Sequence, residues 1–373
     1  LGLSTLTIIQ RTLDLLRETR GIPLTPSDIP LDDPAIYDLL SSGEVTGLFQ
    51  VESAGMRRVL TSLRPSEFND IVAVLSLYRP GPMEYIDNYV ERKHGREEVV
   101  YRHPKLEPIL KETYGIIVFQ EQVIRLMTDL AGYSASEADL VRRAVGKKKA
   151  SELFQHRSSF VERAVEHSGL PQRVAEAIFD DIEYFARYGF NKAHAASYAV
   201  LTCQTAYLKA RYPVEYMAAM LSVERNNTDK VAVLIAECRR LGIEVLPPDV
   251  CRSGLDFVIE GGNIRFGLGA IKNVGEGPIT AILEARQKGG PFKDIDDFCT
   301  RVDLSQVNRR ALESLIKAGA MDSLGRREQL LEIMDRMIQK SNMEHRASLQ
   351  LDMFSLPAFA NSGANIVLST SLP

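Results

Sequence analysis

The densest group of chemically active side chains lies in residues 188–198, YGFNKAHAASY. Asn191 is a favoured helix N-cap, so we predict that a helix begins at Lys192, with His194 in its first turn. The free N–H groups and positive dipole end of such a helix, with a lysine and a histidine beside them, suit a phosphate group. A turn between two helices with solvated charges is the alternative, and these residues alone do not decide between the two.

A second group of cations follows a predicted helix over 134–145. Ser134 and Glu137 have the spacing of a capping box, which marks the start of that helix. The cations occupy its last turns and the loop after it: Arg142, Arg143, Lys147, Lys148 and Lys149. They could bind an anion, but a helix C-terminus also favours exposed cations, so both interpretations stay open.

A third pattern, GLGAIKNVGEGPI at 267–279, runs directly into a predicted helix over 279–286. A short helix, a Gly-x-Gly turn and a second helix form a helix-hairpin-helix, whose glycines let backbone N–H groups approach a DNA phosphate without reading the bases. A weaker copy lies at 307–318, where Asn308, Arg309 and Arg310 begin a helix. One such turn is weak evidence, whereas two in tandem predict a compact duplex-binding unit.

Composition limits the remaining classes of function. The net charge is −4, so any nucleic-acid site must depend on local segregation of charge. The four cysteines are scattered without a Cys-x-x-Cys pair, which argues against a zinc site or a disulfide framework and fits a reducing cytosol. No apolar run is long enough to span a membrane, so no membrane partner is expected. The chain starts with Leu1 and not with Met, so we expect a piece of a longer protein.

The elements that must position these residues are predicted to be mainly helices. Helical spacing continues to Gly242; after it, 257–259 and 264–266 flank EGGN, a hairpin signal, and the runs at 47–51 and 116–119 also resemble strands. We therefore predict a mainly α chain. A multi-helix domain would span 1–242, and a small α-rich domain with a β-hairpin and the tandem helix-hairpin-helix would span 243–337.

The last helix is predicted to end near Met337, followed by a flexible tail over 338–373. Within that tail lies a short candidate motif consisting of Gln350, Leu351, Asp352, Met353 and Phe354. The amide can form hydrogen bonds and the apolar side chains can fill a pocket on a partner protein. A stray apolar cluster, or the end of the last helix, is the alternative.

Taken together, these stretches resemble the alpha subunit of bacterial replicative DNA polymerase III, a C-family polymerase. The resemblance extends over roughly residues 1–354 and rests on six motifs in the family's order: 47–53 (GLFQVES), 77–83 (LYRPGPM), 120–123 (QEQV), 141–149 (VRRAVGKKK), 188–194 (YGFNKAH) and 269–275 (GAIKNVG).

The resemblance implies a role for each region. Residues 1–242 would be the polymerase fingers, with 1–20 at the edge toward the palm, and 243–337 would grip product duplex. The expected nucleotide-binding residues are Arg79, Arg142, Arg143, Lys147, Lys148, Tyr188, Asn191, Lys192 and His194. The expected DNA-binding residues are Lys272, Asn273, Gly275, Gly277, Arg309 and Arg310. The tail motif, with Gln350, Leu351, Met353 and Phe354, would bind the sliding clamp.

The chain departs from the family at its start. The family's catalytic aspartates lie upstream, the last of them in an Asp-Phe-Leu-Gly-Leu run, and Leu1-Gly2-Leu3 begins just after that aspartate. The resemblance therefore implies that Mg²⁺ is bound by ligands outside this chain, which alone would be inactive and cytoplasmic. Expected partners are template-primer DNA, deoxynucleoside triphosphates (dNTPs), the sliding clamp and other holoenzyme subunits. The alternatives are a free-standing duplex- and clamp-binding module, or a helical scaffold with solvated basic faces.

Overall fold

The computed structural model describes residues 3–146, 150–185 and 188–354. The chain forms two compact units, Leu1–Pro213 and Val214–Pro373. The division lies upstream of residue 242, so the helices between 214 and 242 pack with the second unit. The predicted mainly α class is confirmed. In the part of the chain that the structure covers, no helix combines the length and apolar character needed to cross a membrane.

The first unit is built from helices joined by short turns. Local signals begin and end several of them: Asp33 and Ser53 accept hydrogen bonds from the N–H groups of Ala35 and Met56, and Gly21 ends a helix with a left-handed backbone (φ +66°). The helices are α1 Ser4–Arg20, α2 Pro34–Ser42, α3 Ala54–Leu63, α4 Phe68–Leu77, α5 Ile86–Lys93, α6 Glu107–Leu110, α7 Gln120–Ala131, α8 Ala135–Gly146, α9 Ala150–Ser168, α10 Gln172–Phe185 and α11 Lys192–Arg211.

Two apolar clusters hold this unit together. In the first, α11 packs against α2 and α4, and it presents small buried side chains such as Ala199, Cys203 and Ala206 that allow close approach. The second cluster lies between α7, α9 and α10, where the rings of Phe160 and Phe179 are 5.6 Å apart. The first cluster thus positions α11 and the second positions α7, and the first turns of these two helices meet where Glu121 accepts the Lys192 N–H.

The two predicted strands in this unit are wrong. The loop at 47–51 is a series of turns, because side chains of α11 satisfy its backbone: Thr202 donates to the Phe49 carbonyl at 3.1 Å, and the Phe49 N–H donates to the Thr205 hydroxyl. At 116–119 only Phe119 forms a bridge, to Phe190. The Gln122 amide oxygen accepts the N–H groups of residues 118 and 119 in place of a neighbouring strand.

The second unit combines helices with a small sheet. The predicted hairpin is confirmed, with Ile259 opposite Ile264, and the strand at 245 adds in parallel to give the order β1-β3-β2. Its elements are α12 Pro213–Val223, α13 Thr228–Arg240, β1 Val245–Leu246, β2 Val258–Glu260, β3 Asn263–Arg265, α14 Glu276–Gly289, α15 Ile295–Arg301, α16 Arg309–Lys317 and α17 Arg327–Phe354.

The last helix continues well beyond its predicted end near Met337. Fully buried Ser341 donates to the Val302 carbonyl at 2.7 Å and accepts the Leu304 N–H at 3.0 Å. These bonds fasten α17 to the loop after α15, a contact that helical periodicity does not reveal. The backbone from 338 to 354, predicted to be a flexible tail, is therefore helical.

Candidate nucleotide and nucleic-acid interface

The start of α11 has the predicted N-cap, and a carboxylate of α7 that was not predicted bonds to its first N–H group. Asn191 accepts the His194 N–H at 2.8 Å, and Lys192 is the first helical residue, as predicted. The Glu121 carboxylate, from the first turn of α7, accepts the Lys192 N–H at 3.0 and 3.1 Å. A protein carboxylate thus lies at the helix N-terminus, where an anion is favoured. A phosphate would bind there only by displacing it.

The charge of Lys192 is also paired. Its Nζ lies 2.6 Å from the Glu112 carboxylate and 5.4 Å from the centre of the Phe119 ring. Both side chains of the ion pair are about one-third exposed, so the pair is accessible to solvent and can exchange partners.

A row of aromatic rings crosses the surface of α11. Phe190, His194 and Tyr198 follow at intervals of four residues, with ring centres 5.6 and 4.3 Å apart, and Phe49 continues the row 5.4 Å beyond Tyr198. His194 is exposed and the other three are half-buried. Such a surface suits the stacking of nucleobases. Sequence analysis missed Phe49 and Tyr198; the four-residue spacing of the aromatic residues is the signal that identifies Tyr198.

Arg79 and Tyr188 are brought together. The Arg79 guanidinium donates to the Tyr188 carbonyl and lies 4.6 Å from the centre of the Phe190 ring. Burial lowers the pKa of Arg79. The Tyr188 ring itself is 37% exposed, and it lies 5.7 Å from the ring of Tyr184.

The two arginines near the end of α8 form ion pairs with one carboxylate, that of Asp139. The predicted capping box of Ser134 and Glu137 is confirmed, with bonds of 2.8 and 3.3 Å. At the other end of the helix, Arg142 and Arg143 lie 2.9 and 2.6 Å from the Asp139 carboxylate. The hydrogen bonds from Arg142, and then those from Arg143, lower the pKa of Asp139. Lys147 and Lys148 lie outside the described residues.

The packing of α7, α8 and α9 indicates where α8 points. Arg163, late in α9, lies 3.7 Å from Glu137, early in α8, so these two helices are antiparallel. Ser168, at the end of α9, donates to the Asp129 carbonyl near the end of α7, so α9 and α7 run in the same direction. The C-terminal end of α8 therefore lies at the same end of this three-helix group as the start of α7. There Gln120, the first residue of α7, donates hydrogen bonds to the carbonyls of Gly189 and Phe190.

The first hairpin turn, in the second unit, presents backbone to solvent. Lys272 and Asn273 are exposed, and Asn273 has a left-handed backbone (φ +69°). Gly275 caps α14, and Gly277 lies in its first turn. A Cβ at Gly277 would meet no atom within 4 Å, and one at Gly275 would only touch Pro278 at 4.0 Å. The fold itself therefore does not require glycine here, whereas close approach of an external group would.

The second hairpin differs from the first. Asn308 caps α16 by accepting the Ala311 N–H at 2.9 Å. The turn before it has no glycine, and Asp303 accepts hydrogen bonds from the backbone and side chain of Ser305. A carboxylate in this turn disfavours a phosphate, and the exposed cations of this hairpin lie at the start of α16. There Arg309 is 3.1 Å from Asp335, and Arg310 is exposed.

An open groove of 470 Å³ joins the two hairpins. Phe266 and Ile271 form part of its floor, and Lys272 and Lys317 stand on its rim. Asn273 donates to the Ser314 hydroxyl at 3.3 Å across it. Both hairpins thus contribute to one surface of the second unit.

The remaining predicted sites have less structural support. Within the described ranges, no three His, Cys, Asp or Glu side chains gather as a metal site. Gln350, Leu351, Met353 and Phe354 lie in the last turns of α17, and their side chains are outside the description.

Comparison with known proteins finds a family match in each of the two units. Residues 5–168 match the finger domain of the bacterial DNA polymerase III alpha subunit, and residues 242–330 match a helix-hairpin-helix motif. The chain is 52% identical to DNA polymerase III subunit alpha of Thermus aquaticus over 344 residues, which are 91% of this chain and 28% of that protein. It is 46% identical to that of Escherichia coli K12 over 374 residues, covering 96% and 32% of the two chains.

The subunit alpha of Caulobacter vibrioides is 47% identical over 346 residues, covering 92% of this chain and 30% of the relative. The chain thus spans about a third or less of the length of these curated relatives. With both family regions in order and this identity along nearly its whole length, the chain belongs to the family of the bacterial DNA polymerase III alpha subunit.

Proposed function

We propose that this chain is the nucleotide- and DNA-holding part of a replicative DNA-directed DNA polymerase. It would bind the incoming dNTP and the template-primer, and contact the sliding clamp and other holoenzyme subunits, within a subunit that transfers nucleotidyl groups. The observation that carries the proposal is the coexistence, in one chain, of the fingers family region and a hairpin turn whose glycines face open space.

Nucleotidyl transfer needs Mg²⁺ and cations that neutralise the triphosphate. The carboxylates that bind Mg²⁺ would come from outside this chain, which would be inactive alone. Arg142, Arg143, Lys147 and Lys148 would contact the phosphates, because a guanidinium fork matches phosphate oxygens. The triphosphate would compete with Asp139 for the arginines. Arg143 is the more available, since its side chain is 64% exposed and that of Arg142 is 15% exposed.

The base of the nucleotide and the template would lie on the aromatic row. Tyr188 and His194 offer exposed rings, and Lys192 offers a cation that can leave Glu112. Asn191 would act by capping α11 and so orienting Lys192 and His194. These groups hold and orient a nucleotide, and the reacting carboxylates would be supplied by another part of the subunit.

The second unit would hold duplex DNA by its phosphates. The N–H groups near Gly275 and Gly277, with Lys272 and Asn273, would bind one strand, and Arg309 and Arg310 would supply the cations of the second hairpin. The end of α17, with Gln350, Leu351, Met353 and Phe354, would bind the sliding clamp through its amide and apolar side chains.

The nucleotide site is tested by Arg143→Ala in the full-length subunit. Loss of an exposed phosphate contact should raise the KM for all four dNTPs by about tenfold, since about 1.4 kcal/mol corresponds to a factor of ten. Steady-state incorporation on a primed template measures it. Arg102→Ala removes a half-exposed arginine that pairs with Asp181 and serves as the control. Equal KM values for Arg143→Ala and the unmodified subunit would refute the phosphate assignment.

A further inference from the structure

The turn at 79–82, RPGP, is tied to the segment that precedes α11. The Arg79 guanidinium uses separate N–H groups for two carbonyls: Nε donates to Ser76 at 2.7 Å, and Nη2 donates to Tyr188. Its Cζ atom also lies over the Phe190 ring, 4.6 Å from the ring centre. One side chain therefore joins the end of α4 to two residues of the candidate nucleotide site.

Gly81 fixes the same segment by steric contact. Its backbone has φ +97°, a conformation that favours glycine, and a Cβ there would lie 2.7 Å from the Tyr188 ring. Tyr188 also contacts Tyr184, whose hydroxyl donates to the Glu84 carboxylate. The Tyr188 ring thus contacts both the 79–82 turn and a neighbouring tyrosine.

On the basis of the proposed function, we propose that Arg79 and Gly81 are positioning residues for nucleotide selection. Their contacts with Tyr188 and Phe190 position these two side chains. Phe190 in turn positions the row of aromatic rings that continues through His194 and Tyr198. To bind a triphosphate, Arg79 would have to abandon two main-chain carbonyls and the Phe190 ring, whereas Arg143 is mostly exposed and needs only to exchange Asp139. Arg79 therefore acts on the nucleotide through Tyr188 and Phe190 without touching the phosphates.

The test uses the full-length subunit with Arg79→Lys, Arg79→Gln and Gly81→Ala. A lysine keeps the charge but cannot donate to both carbonyls from the two edges of a fork. Arg102→Lys, which disturbs the bidentate pair with Asp181 in the same unit, is the matched control. Four quantities are measured: kcat, the KM for the correct dNTP, the ratio of kcat/KM between correct and mismatched dNTPs, and the inhibition constant of pyrophosphate.

We expect all three variants to raise the dNTP KM about tenfold or more and to lower the discrimination ratio, since a shift of about 1 Å in a positioning group can cost about a hundredfold. The inhibition constant of pyrophosphate should stay unchanged, because the phosphate contacts are intact. Near-normal kinetics for Arg79→Lys, or a pyrophosphate constant that rises with the KM, would overturn the proposal. So would a lower kcat with KM and discrimination unaltered, which is the sign of a merely structural role.

Arg143→Ala, measured alongside, separates the two proposals. It should raise both the dNTP KM and the pyrophosphate inhibition constant. If it changes neither, the proposed phosphate site fails. If it behaves as expected while the Arg79 and Gly81 variants match the unmodified subunit, only the positioning role fails.

Discussion

Two glycines of the first helix-hairpin-helix have different roles: Gly267 is needed for folding, whereas Gly277 is not. Gly267 is required by the fold, because a Cβ there would lie 2.6 Å from the backbone of Asp256. Gly277 is not, because a Cβ there meets nothing within 4 Å. Since the fold does not require glycine at this position, we propose that the close approach of a phosphate does.

Gly277→Ala should therefore weaken duplex binding and leave the fold intact. The alanine lies in a helix, so the free energy of unfolding should be unchanged or up to about 1 kcal/mol higher. Duplex affinity should fall because the added methyl blocks the phosphate. Urea unfolding and fluorescence anisotropy measure the two effects. Gly267→Ala is the opposite control and should destabilise the chain; unimpaired binding by Gly277→Ala would contradict the assignment.

Glu260 lies between two arginines and links stability to pH. Arg265 and Arg252 lie 2.5 and 2.8 Å from its carboxylate, and chiefly the Arg265 hydrogen bond lowers its pKa to about 2. A carboxylate with a lowered folded-state pKa stabilises the fold above its unfolded-state pKa and loses that effect as pH falls through the folded value.

Glu260→Gln should thus be less stable than the unmodified chain at pH 7, and the difference should shrink as the pH falls from about 4.5 toward about 2. Urea unfolding at a series of pH values measures it. Glu328→Gln removes a carboxylate that is 89% exposed and should have little effect at any pH. A difference that grows on acidification would show that the ion pair is not its source.

Helices, caps and turns that are determined by residues close together in the sequence could be predicted correctly. The caps at Asn191 and Ser134 and the hairpin over 257–266 follow from neighbouring residues, and all three are confirmed. The errors arise where side chains distant in sequence form hydrogen bonds that local patterns do not reveal. Thr202 bonds the Phe49 carbonyl in place of a neighbouring strand, and Ser341 of the extended helix α17 bonds the Val302 carbonyl.

The same limit applies to the candidate site. Its residue types and the α11 start could be predicted, because both depend on short motifs. The pairing of Lys192 with Glu112, and the use of Arg79 to hold Tyr188, could not, because the partners lie 80 and 109 positions away.

Gln122 offers a test of such a distant contact. Its buried amide accepts two backbone N–H groups and donates to the Thr113 hydroxyl at 2.8 Å. Gln122→Leu should lower the free energy of unfolding by about 2–4 kcal/mol, because it leaves these buried groups unpaired. Urea unfolding measures it. Gln172→Leu, at an exposed position of α10, is the control and should cost less than about 0.5 kcal/mol; equal effects would refute the argument.

For the whole molecule, a net charge of −4 means that the proposed binding of duplex DNA must depend on a local surface. The observed affinity of the chain for duplex should therefore fall steeply with salt and ignore base sequence, because phosphate contacts release counterions and carry no base information. Anisotropy titrations of two unrelated duplexes over a range of salt concentrations measure both properties.

Each cation that contacts a phosphate contributes about 0.9 to the slope of log affinity against log salt. Lys272→Gln and Arg310→Gln should each lower that slope by about one, since each variant removes one exposed cation from a hairpin. Lys288→Gln should not, because Lys288 lies at the opposite end of α14 from Gly275 and is exposed there. An equal loss for all three variants would point to diffuse charge and not to the hairpins, and a strong preference for one duplex would contradict binding through phosphates.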